Sequence, residues 1–387
     1  MTPDAPAPNR ALLISHGAAF DGGAELAFDE LVASISKYAP SLALLVVVPR
    51  DGVIAQRARL HGADVTVVAQ PRWADFGEPT VWDWIKRFIQ GVVSLGRMVR
   101  LIVKRKPQVV ITNTMTIPIG PLAVKLCQVR VLWKINEFGN RDHHLSFVLG
   151  YRRTVAMIGR LSDVVMCCSL AVRDELKERG VPESRLKVVY GAVDTPSDEP
   201  TKVRHAGDQL TVLLVGRISK SEGLLLAVRA LGLAIRSGAD VMLRLVGAPY
   251  EREYVDRVHA AVDEAALGDR VTFEGALDDP FPAYRGADVV LMCSKDEAFG
   301  RVTVEAMKLG LPVIGVDSGG TKELIEDGVT GFLTPPGDAA AMGRAHVDLW
   351  TDEEKRGQMG RRARKSAMSR FTAAGWVEQI LALAMTN

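Results

Sequence analysis

Cysteine is scarce in this chain of 387 residues, and its four copies (Cys127, Cys167, Cys168, Cys293) lack the paired spacing of a metal knuckle. They read as buried free thiols of a protein kept in a reducing cytoplasm. No uncharged apolar run reaches the roughly 18–20 residues that cross a bilayer. The opening "MTPDAPAPNR" has no apolar core and reads as a loose tail, not a signal peptide. No Asp-x-Asp pair is present, and His and Cys form no ligand spacing, so no metal and no cofactor is expected. The first strand is followed by "SHGAAFDGGAE", which does not supply the Gly-x-Gly-x-x-Gly turn of a dinucleotide dehydrogenase. No aromatic-basic motif of an RNA or DNA module occurs, so nucleic acid is not an expected partner.

What is present is ordinary globular composition, 48% hydrophobic and 24% charged, in a chain too long for one ordinary core. The net charge of +2 is uneven: residues 1–194 hold 25 Lys+Arg against 18 Asp+Glu, and the remainder is acidic. Short apolar runs alternate with helical stretches: "RALLISHG", "SLALLVVVP", "ADVTVVAQ", "PQVVITNT", "VRVLWKINE", "SDVVMCCS" and "RLKVVYGAVD". That alternation predicts a parallel sheet with crossover helices. Residues 194–208, "DTPSDEPTKVRHAGD", carry the composition of a linker. The alternation then restarts at "QLTVLLVGRI". Two Rossmann-like domains, 1–196 and 207–370, are therefore expected. A last helical stretch near 373–387 is a candidate to pack back on the first domain. Ligands in such sheets bind at the carboxyl ends of the strands, which places the expected site in the cleft between the two units.

The stretch 81–106, "VWDWIKRFIQGVVSLGRMVRLIVKRK", mixes Trp82, Trp84 and Phe88 with seven Lys and Arg residues. One reading is peripheral contact with an anionic membrane at its inner face. The favoured one is the crossover helix that the following strand requires, its apolar face on the sheet and its basic face in water.

The segment "DEAFGRVTVEAMKLG" (296–310) keeps Glu297 just after an apolar run, and Glu305 within a helical apolar pattern. A carboxylate kept inside an apolar helical pattern suits a ligand that donates hydrogen bonds to it. A surface pair with Lys308 is the bland alternative. An anionic ligand would call for cations and backbone N–H groups. Gly22-Gly23 and Phe299-Gly300 supply turns before helices, and a third pair, Gly319-Gly320, reads more as a tight turn. Arg217, after "LTVLLVG", can clamp an anion bidentately.

In order and spacing, "GRISKSEGLLLAVRAL", "DRVTFEGAL", "ADVVLMCSKDEAFGRVTVEAM" and "GLPVIGVDSGGTKELIEDGVTGFLTPPGD" resemble the retaining nucleotide-sugar glycosyltransferases of family 4. The first half agrees through "GGAE" and "SLAVRDELKERGVPESRLKVVYGAVD". The resemblance implies an α/β chain of GT-B fold, its two Rossmann-like domains facing across a deep cleft. It implies transfer of a hexosyl group from an NDP-sugar, UDP before GDP, to a hydroxyl acceptor such as a glycolipid, polysaccharide or small molecule. The family's proposed mechanism is front-face displacement, in which the departing phosphate takes the acceptor's proton. Glu305 is then the ribose ligand, and Glu297 faces the hexose. Two departures stand out. Glu222 occupies the position of the family's lysine, with Lys220 two residues earlier as a candidate replacement turning inward. Asn136 stands near the position of a family histidine. The donor-binding set is Gly22, Gly23, Arg217, Lys220, Glu297, Ala298, Phe299, Gly300, Arg301 and Glu305. Arg217, Lys220, Glu297 and Asn136 are the catalytic candidates, with His16, Glu137 and His143 toward the acceptor. Alternatives are a nucleotide-binding scaffold that has lost catalysis, and an epimerase or sugar-phosphate synthase on the same fold.

Overall fold

The computed structural model describes residues 9–20, 22–75, 77, 80–142, 145–196 and 208–385. The chain divides into two compact units, the first formed by residues up to Val193 together with those from Phe371 onward, the second by Asp194–Arg370. The division falls three residues before the expected boundary, and the last helix belongs to the first unit.

In chain order the first unit holds β1 (Arg10–Ile14), α1 (Gly23–Tyr38), β2 (Ala43–Val48), α2 (Val53–Leu60), β3 (Asp64–Val67), β4 (Ala74–Asp75), α3 (Val81–Arg105) and β5 (Val109–Asn113). It continues with α4 (Ile119–Leu126), β6 (Arg130–Ile135), β7 (Ser146–Phe147), α5 (Tyr151–Leu161), β8 (Val164–Cys167), α6 (Leu170–Glu178) and β9 (Leu186–Val188). Seven strands form one parallel sheet in the order β3-β2-β1-β5-β6-β8-β9. The apolar runs are continuous because helices cover both faces, so alternate residues need not face water. β4 and β7 pair separately and antiparallel, a ribbon too short for the apolar pattern to reveal.

The second unit holds β10 (Leu210–Val215), α7 (Leu224–Arg236), β11 (Val241–Val246), α8 (Arg252–Glu264), β12 (Val271–Gly275), α9 (Phe281–Arg285), β13 (Val289–Met292), α10 (Arg301–Lys308), β14 (Val313–Val316), α11 (Thr321–Leu324), β15 (Gly331–Thr334), α12 (Ala339–Thr351) and α13 (Glu353–Arg370). Its six strands are parallel in the order β12-β11-β10-β13-β14-β15. α14 (Ala373–Met385) buries Trp376, Val377 and Ile380 in the same core as Leu13, Phe28 and Leu132 of the first unit.

Both sheets run outward in opposite directions from a central pair, β1/β5 in one unit and β10/β13 in the other. At such a reversal the loops leaving the two strands diverge and leave a crevice at the carboxyl ends. That places the segments after β1, β5, β10 and β13 where a ligand can be met.

α3 departs from expectation. It begins with a capping box, Thr80 Oγ1 accepting from Asp83 N at 3.3 Å and the Asp83 carboxylate accepting from Thr80 N at 3.0 Å. It ends at Lys106 in the left-handed region, φ 50°. Its buried positions are Gly91, Ser94, Met98 and Ile102, while Trp82, Phe88, Ile89, Val92 and Val93 are exposed. The helix does cross over before β5, but in its first half the large apolar side chains point away from the sheet. Cys127 is likewise only half-buried, unlike the other three thiols.

Candidate functional site

In the second unit, the loops leaving β10 and β13 touch directly. A side chain at Gly223, φ 71°, would place its Cβ 2.4 Å from the Cys293 carbonyl oxygen, so only glycine admits this approach. Glu297 lies in the loop after β13 and not in the helix, which begins at Arg301 behind a left-handed Gly300. This loop is seated on Gly319-Gly320. Gly320 N donates to the Glu297 carbonyl at 2.7 Å. A Cβ on Gly319 (φ 55°) would fall 2.4 Å from that oxygen, and one on Gly320 would fall 2.6 Å from the Ala298 oxygen. Gly319-Gly320 is thus a backbone platform under 297–299, in keeping with its reading as a tight turn. Ala298 is buried and Phe299 half-buried.

Glu305 sits one turn into α10 with only 12% of its side chain exposed. Its Oε2 accepts from the Tyr284 hydroxyl at 2.8 Å, and its Oε1 is 3.6 Å from an Arg301 nitrogen. Burial and the Glu305 charge push the Tyr284 hydroxyl well above its ordinary range, so it stays protonated and donates. A carboxylate fixed in this way can accept from the two hydroxyls of a ribose. Tyr284 belongs to α9, 21 residues upstream, in "FPAYR". Nothing in its local pattern distinguishes it from a core aromatic.

Arg217 follows β10, half-buried, its guanidinium 4.6 Å from the centre of the exposed Tyr250 ring. Glu222 approaches the same turn: a Cβ on Gly216 would come within 3.1 Å of Glu222 Oε2. Burial, and then the nearby negative charge of Glu297, push Glu222 up to about 7, with Arg217 opposing. Lys220 does not turn inward. It is exposed, and its backbone N–H reaches Glu251 Oε2 at 3.4 Å. The reason is local: 220–222 is a single tight turn, and it directs residue 222, not residue 220, toward Gly216.

In the first unit, His16 and Glu25 form a buried pair, Nε2 to Oε1 2.7 Å, each side chain 8% exposed. Burial alone would raise Glu25, but the hydrogen bond and charge of His16 outweigh it and hold the carboxyl below its ordinary value. His16 Nδ1 is buried with no hydrogen-bond partner among the described residues. Gly22 caps α1 and Gly23 begins it, as expected, but a Cβ on Gly22 would lie 3.5 Å from Glu25 Oε2. The helix N-terminus expected to meet phosphate is therefore met by this chain's own carboxylate.

After β6, Asn136 is half-buried in a chain of polar contacts. Its amide donates to Asn113 Oδ1 at 2.7 Å, Asn113 donates to the Ala24 carbonyl at 3.1 Å, and the Lys134 ammonium donates to Asn136 Oδ1. Lys134 is 3% exposed, its ammonium 5.7 Å from the centre of the Trp376 ring in α14. Glu137 faces inward: its two oxygens accept from Met115 N at 2.7 Å and Asn136 N at 2.9 Å, and burial pushes it up to about 7. It fastens the loop after β5 to the loop after β6, which accounts for its presence without an acceptor. His143 and its neighbour His144 lie outside the described residues. Lys134, Asn113, Glu25 and Tyr284 are candidate site residues that the sequence alone does not single out. Among them only Lys134, a cation inside an apolar strand, carried a local signal.

Two doubly wound units with polar residues gathered where the strand order reverses fit the GT-B class of proteins. Residues 197–366 match the family model Glycosyl transferases group 1, and residues 53–196 match Glycosyltransferase Family 4. The chain belongs to the family 4 type of glycosyltransferase. It is 31% identical over 231 residues to the N-acetyl-alpha-D-glucosaminyl L-malate synthase of Bacillus anthracis, a match covering 56% of this chain and 58% of that one. It is 28% identical over 233 residues to the alpha-D-kanosaminyltransferase of Streptomyces kanamyceticus, covering 57% and 60%. The chain thus spans well under two thirds of the length of these relatives. Among solved structures, Anabaena HepE in complex with UDP and glucose shares the fold, with a TM-score of 0.76 at 24% identity, over 97% of this chain and 99% of that one.

Proposed function

We propose that the protein is a retaining hexosyltransferase that moves a sugar from a nucleoside-diphosphate donor, UDP before GDP, to a hydroxyl acceptor. The observation that carries this reading is the arrangement of Glu297 and Glu305. One carboxylate stands on a loop locked to Gly319-Gly320, and the other is held by Tyr284 and Arg301 in the following helix. Such a pair suits a ligand with a ribose at one end and a hexose at the other. The complex of the HepE structure with UDP and glucose supports the choice of base and sugar class. In this reading Arg217 meets the diphosphate, and cationic and N–H groups of the protein, not a metal, stabilise the leaving group. His16 belongs to the acceptor side.

The test is calorimetric titration of the protein with UDP and with GDP, in wild type and Glu305→Ala. UDP binding that falls at least about tenfold in the variant supports the donor site; each tenfold is about 1.4 kcal/mol. Binding of neither nucleotide, or binding indifferent to Glu305, removes the proposal.

A second reading has one specific observation in its favour. Glu222 directs a carboxylate at the turn where a leaving diphosphate needs positive charge, and Lys220 stays outside. A nucleotide-binding protein without turnover follows from that. It is distinguished by UDP binding with no hydrolysis or transfer from UDP-glucose.

A further inference from the structure

We propose that α3 is an interfacial anchor that seats the protein on an anionic lipid surface. The helix has two apolar sides. The inner one, Gly91, Ser94, Met98 and Ile102, packs on the first unit, and its small residues near the start bring the helix close to α4: a Cβ on Gly91 would already be 3.4 Å from Ile119. The outer one is formed by Val81 (74% exposed), Trp82 (70%), Ile85, Phe88 (73%), Ile89 and Val92. These positions recur every three or four residues and make one stripe, about 18 Å long from residue 81 to 93 at 1.5 Å per residue. None of the described residues covers it.

Charge selects the occupant. Lys86 is exposed beside the stripe, Arg97, Arg100 and Lys104 are exposed farther along the same side of the helix, and Asp83, engaged in the cap with Thr80, is the helix's one acidic residue. Arg97, Arg100 and Lys104 form no ion pair among the described residues. Arg87 and Arg105, on the flank nearer the protein, pair with Asp75 and Asp64. Those pairs and the capping box hold the helix as a fixed rod. An apolar stripe with an aromatic near its start and cations beside it and beyond its end matches the boundary between acyl chains and anionic headgroups. A second copy of the chain fits poorly, since each partner would add four same-sign side chains to the contact. Residues 1–194 as a whole carry the same excess, 25 Lys and Arg against 18 acids. This inference stands apart from the proposed sugar transfer and needs no substrate to test.

The experiment is sedimentation of the purified full chain with vesicles of phosphatidylcholine alone and of an equal mixture with phosphatidylglycerol. The variants are Trp82→Gln with Phe88→Gln, and Arg97→Glu with Arg100→Glu. All these side chains are exposed, so melting by circular dichroism should match wild type; Val92→Gln with Val93→Gln repeats the apolar test if the first pair melts early. The expected result is binding to the mixed vesicles that drops at least about tenfold in each variant, and that falls with added salt. Wild type left in the supernatant with both vesicles overturns the proposal. So does equal binding by wild type and variants. A concentration-dependent dimer that the variants dissolve, with no lipid binding, assigns the stripe to self-association instead.

Discussion

The Tyr284 hydroxyl and the Glu305 carboxylate are joined at 2.8 Å, the phenol wholly out of water and the acid almost so. A buried hydroxyl that stays protonated fixes one oxygen of Glu305 without neutralising it. Tyr284→Phe keeps the ring and removes the donor. We expect a loss of about 1–3 kcal/mol of stability, because the carboxylate is left short of a partner. UDP affinity should drop less than in Glu305→Ala, since the acid survives but is no longer aimed. Chemical denaturation and calorimetry on the two variants side by side check the order; a Phe variant that binds worse than the Ala variant contradicts it.

Gly319 and Gly320 support the Glu297 loop through their backbones, so either substitution acts on the site without touching ligand. Gly319→Ala would put a methyl 2.4 Å from the Glu297 oxygen at a φ of 55°, and Gly320→Ala would press on the Ala298 and Phe299 oxygens at 2.6 and 2.8 Å. Gly319→Ala adds backbone strain and Gly320→Ala a steric clash, each costing about 1–3 kcal/mol, and both should weaken UDP binding with α10 still folded. Hydrogen exchange that loosens at 296–300 before the rest of the unit is the signature to look for.

Glu222 makes the second unit's stability fall with pH. Its carboxyl is raised from an ordinary 4.5 to about 7, so between those values the folded state keeps a proton that the unfolded state has lost. The contribution is whole below 4.5, disappears as pH rises through about 7, and is level above. Glu222→Gln removes this slope. Relative to wild type it should therefore gain stability between pH 4.5 and 8, by up to about 3 kcal/mol at 1.36 kcal/mol per unit. Urea midpoints of both proteins across that range decide it, and parallel curves would mean that Glu222 titrates normally.

The sheets were legible because parallel strands buried on both faces write unbroken apolar runs, as in "LLVVV" of β2 and "VVLM" of β13. Glu305 was legible for the complementary reason, a charge inside an apolar helical pattern. Tyr284 was not, because its meaning comes from a contact 21 residues away and a buried aromatic needs no ligand to explain it. Lys220 misled because spacing counts residues but does not say which way a tight turn directs them. α3 shows the same limit at larger scale. Periodicity reveals that a stripe exists, but which of two stripes meets the sheet depends on the close approach that Gly91 and Ser94 permit.

His16 and Glu25 bind each other with almost no water present, and the sign of their contribution is opposite to that of Glu222. The Glu25 carboxyl is held below its ordinary 4.5, so its stabilisation is present above that value and is lost as pH falls through the folded pKa. Glu25→Gln should cost about 1–3 kcal/mol at pH 7, with the gap to wild type narrowing in acid. UDP binding should be unchanged if the pair belongs to the acceptor side, while transfer to acceptor falls. A variant that loses UDP binding instead would move His16 and Glu25 to the donor.

Replacing Glu222 by lysine asks directly what this turn is for. The acid stands against Gly216 beside Arg217, and its charge is disfavoured there by burial and by Glu297. If a diphosphate lies against the turn, each of its negative charges is opposed by Glu222 whenever that residue is ionised. Glu222→Lys exchanges a repulsion for an attraction, and its ammonium would also relieve Glu297. UDP should then bind about tenfold tighter, or about 1.4 kcal/mol, with the gain largest above pH 7, where wild-type Glu222 is charged. Turnover of UDP-glucose should rise with it if leaving-group stabilisation limits the reaction. Calorimetry at pH 6 and 8 separates the cases. A lysine variant that binds UDP no tighter at either pH would show that the diphosphate does not meet Glu222, and would remove the main ground for reading the protein as a binding module without turnover.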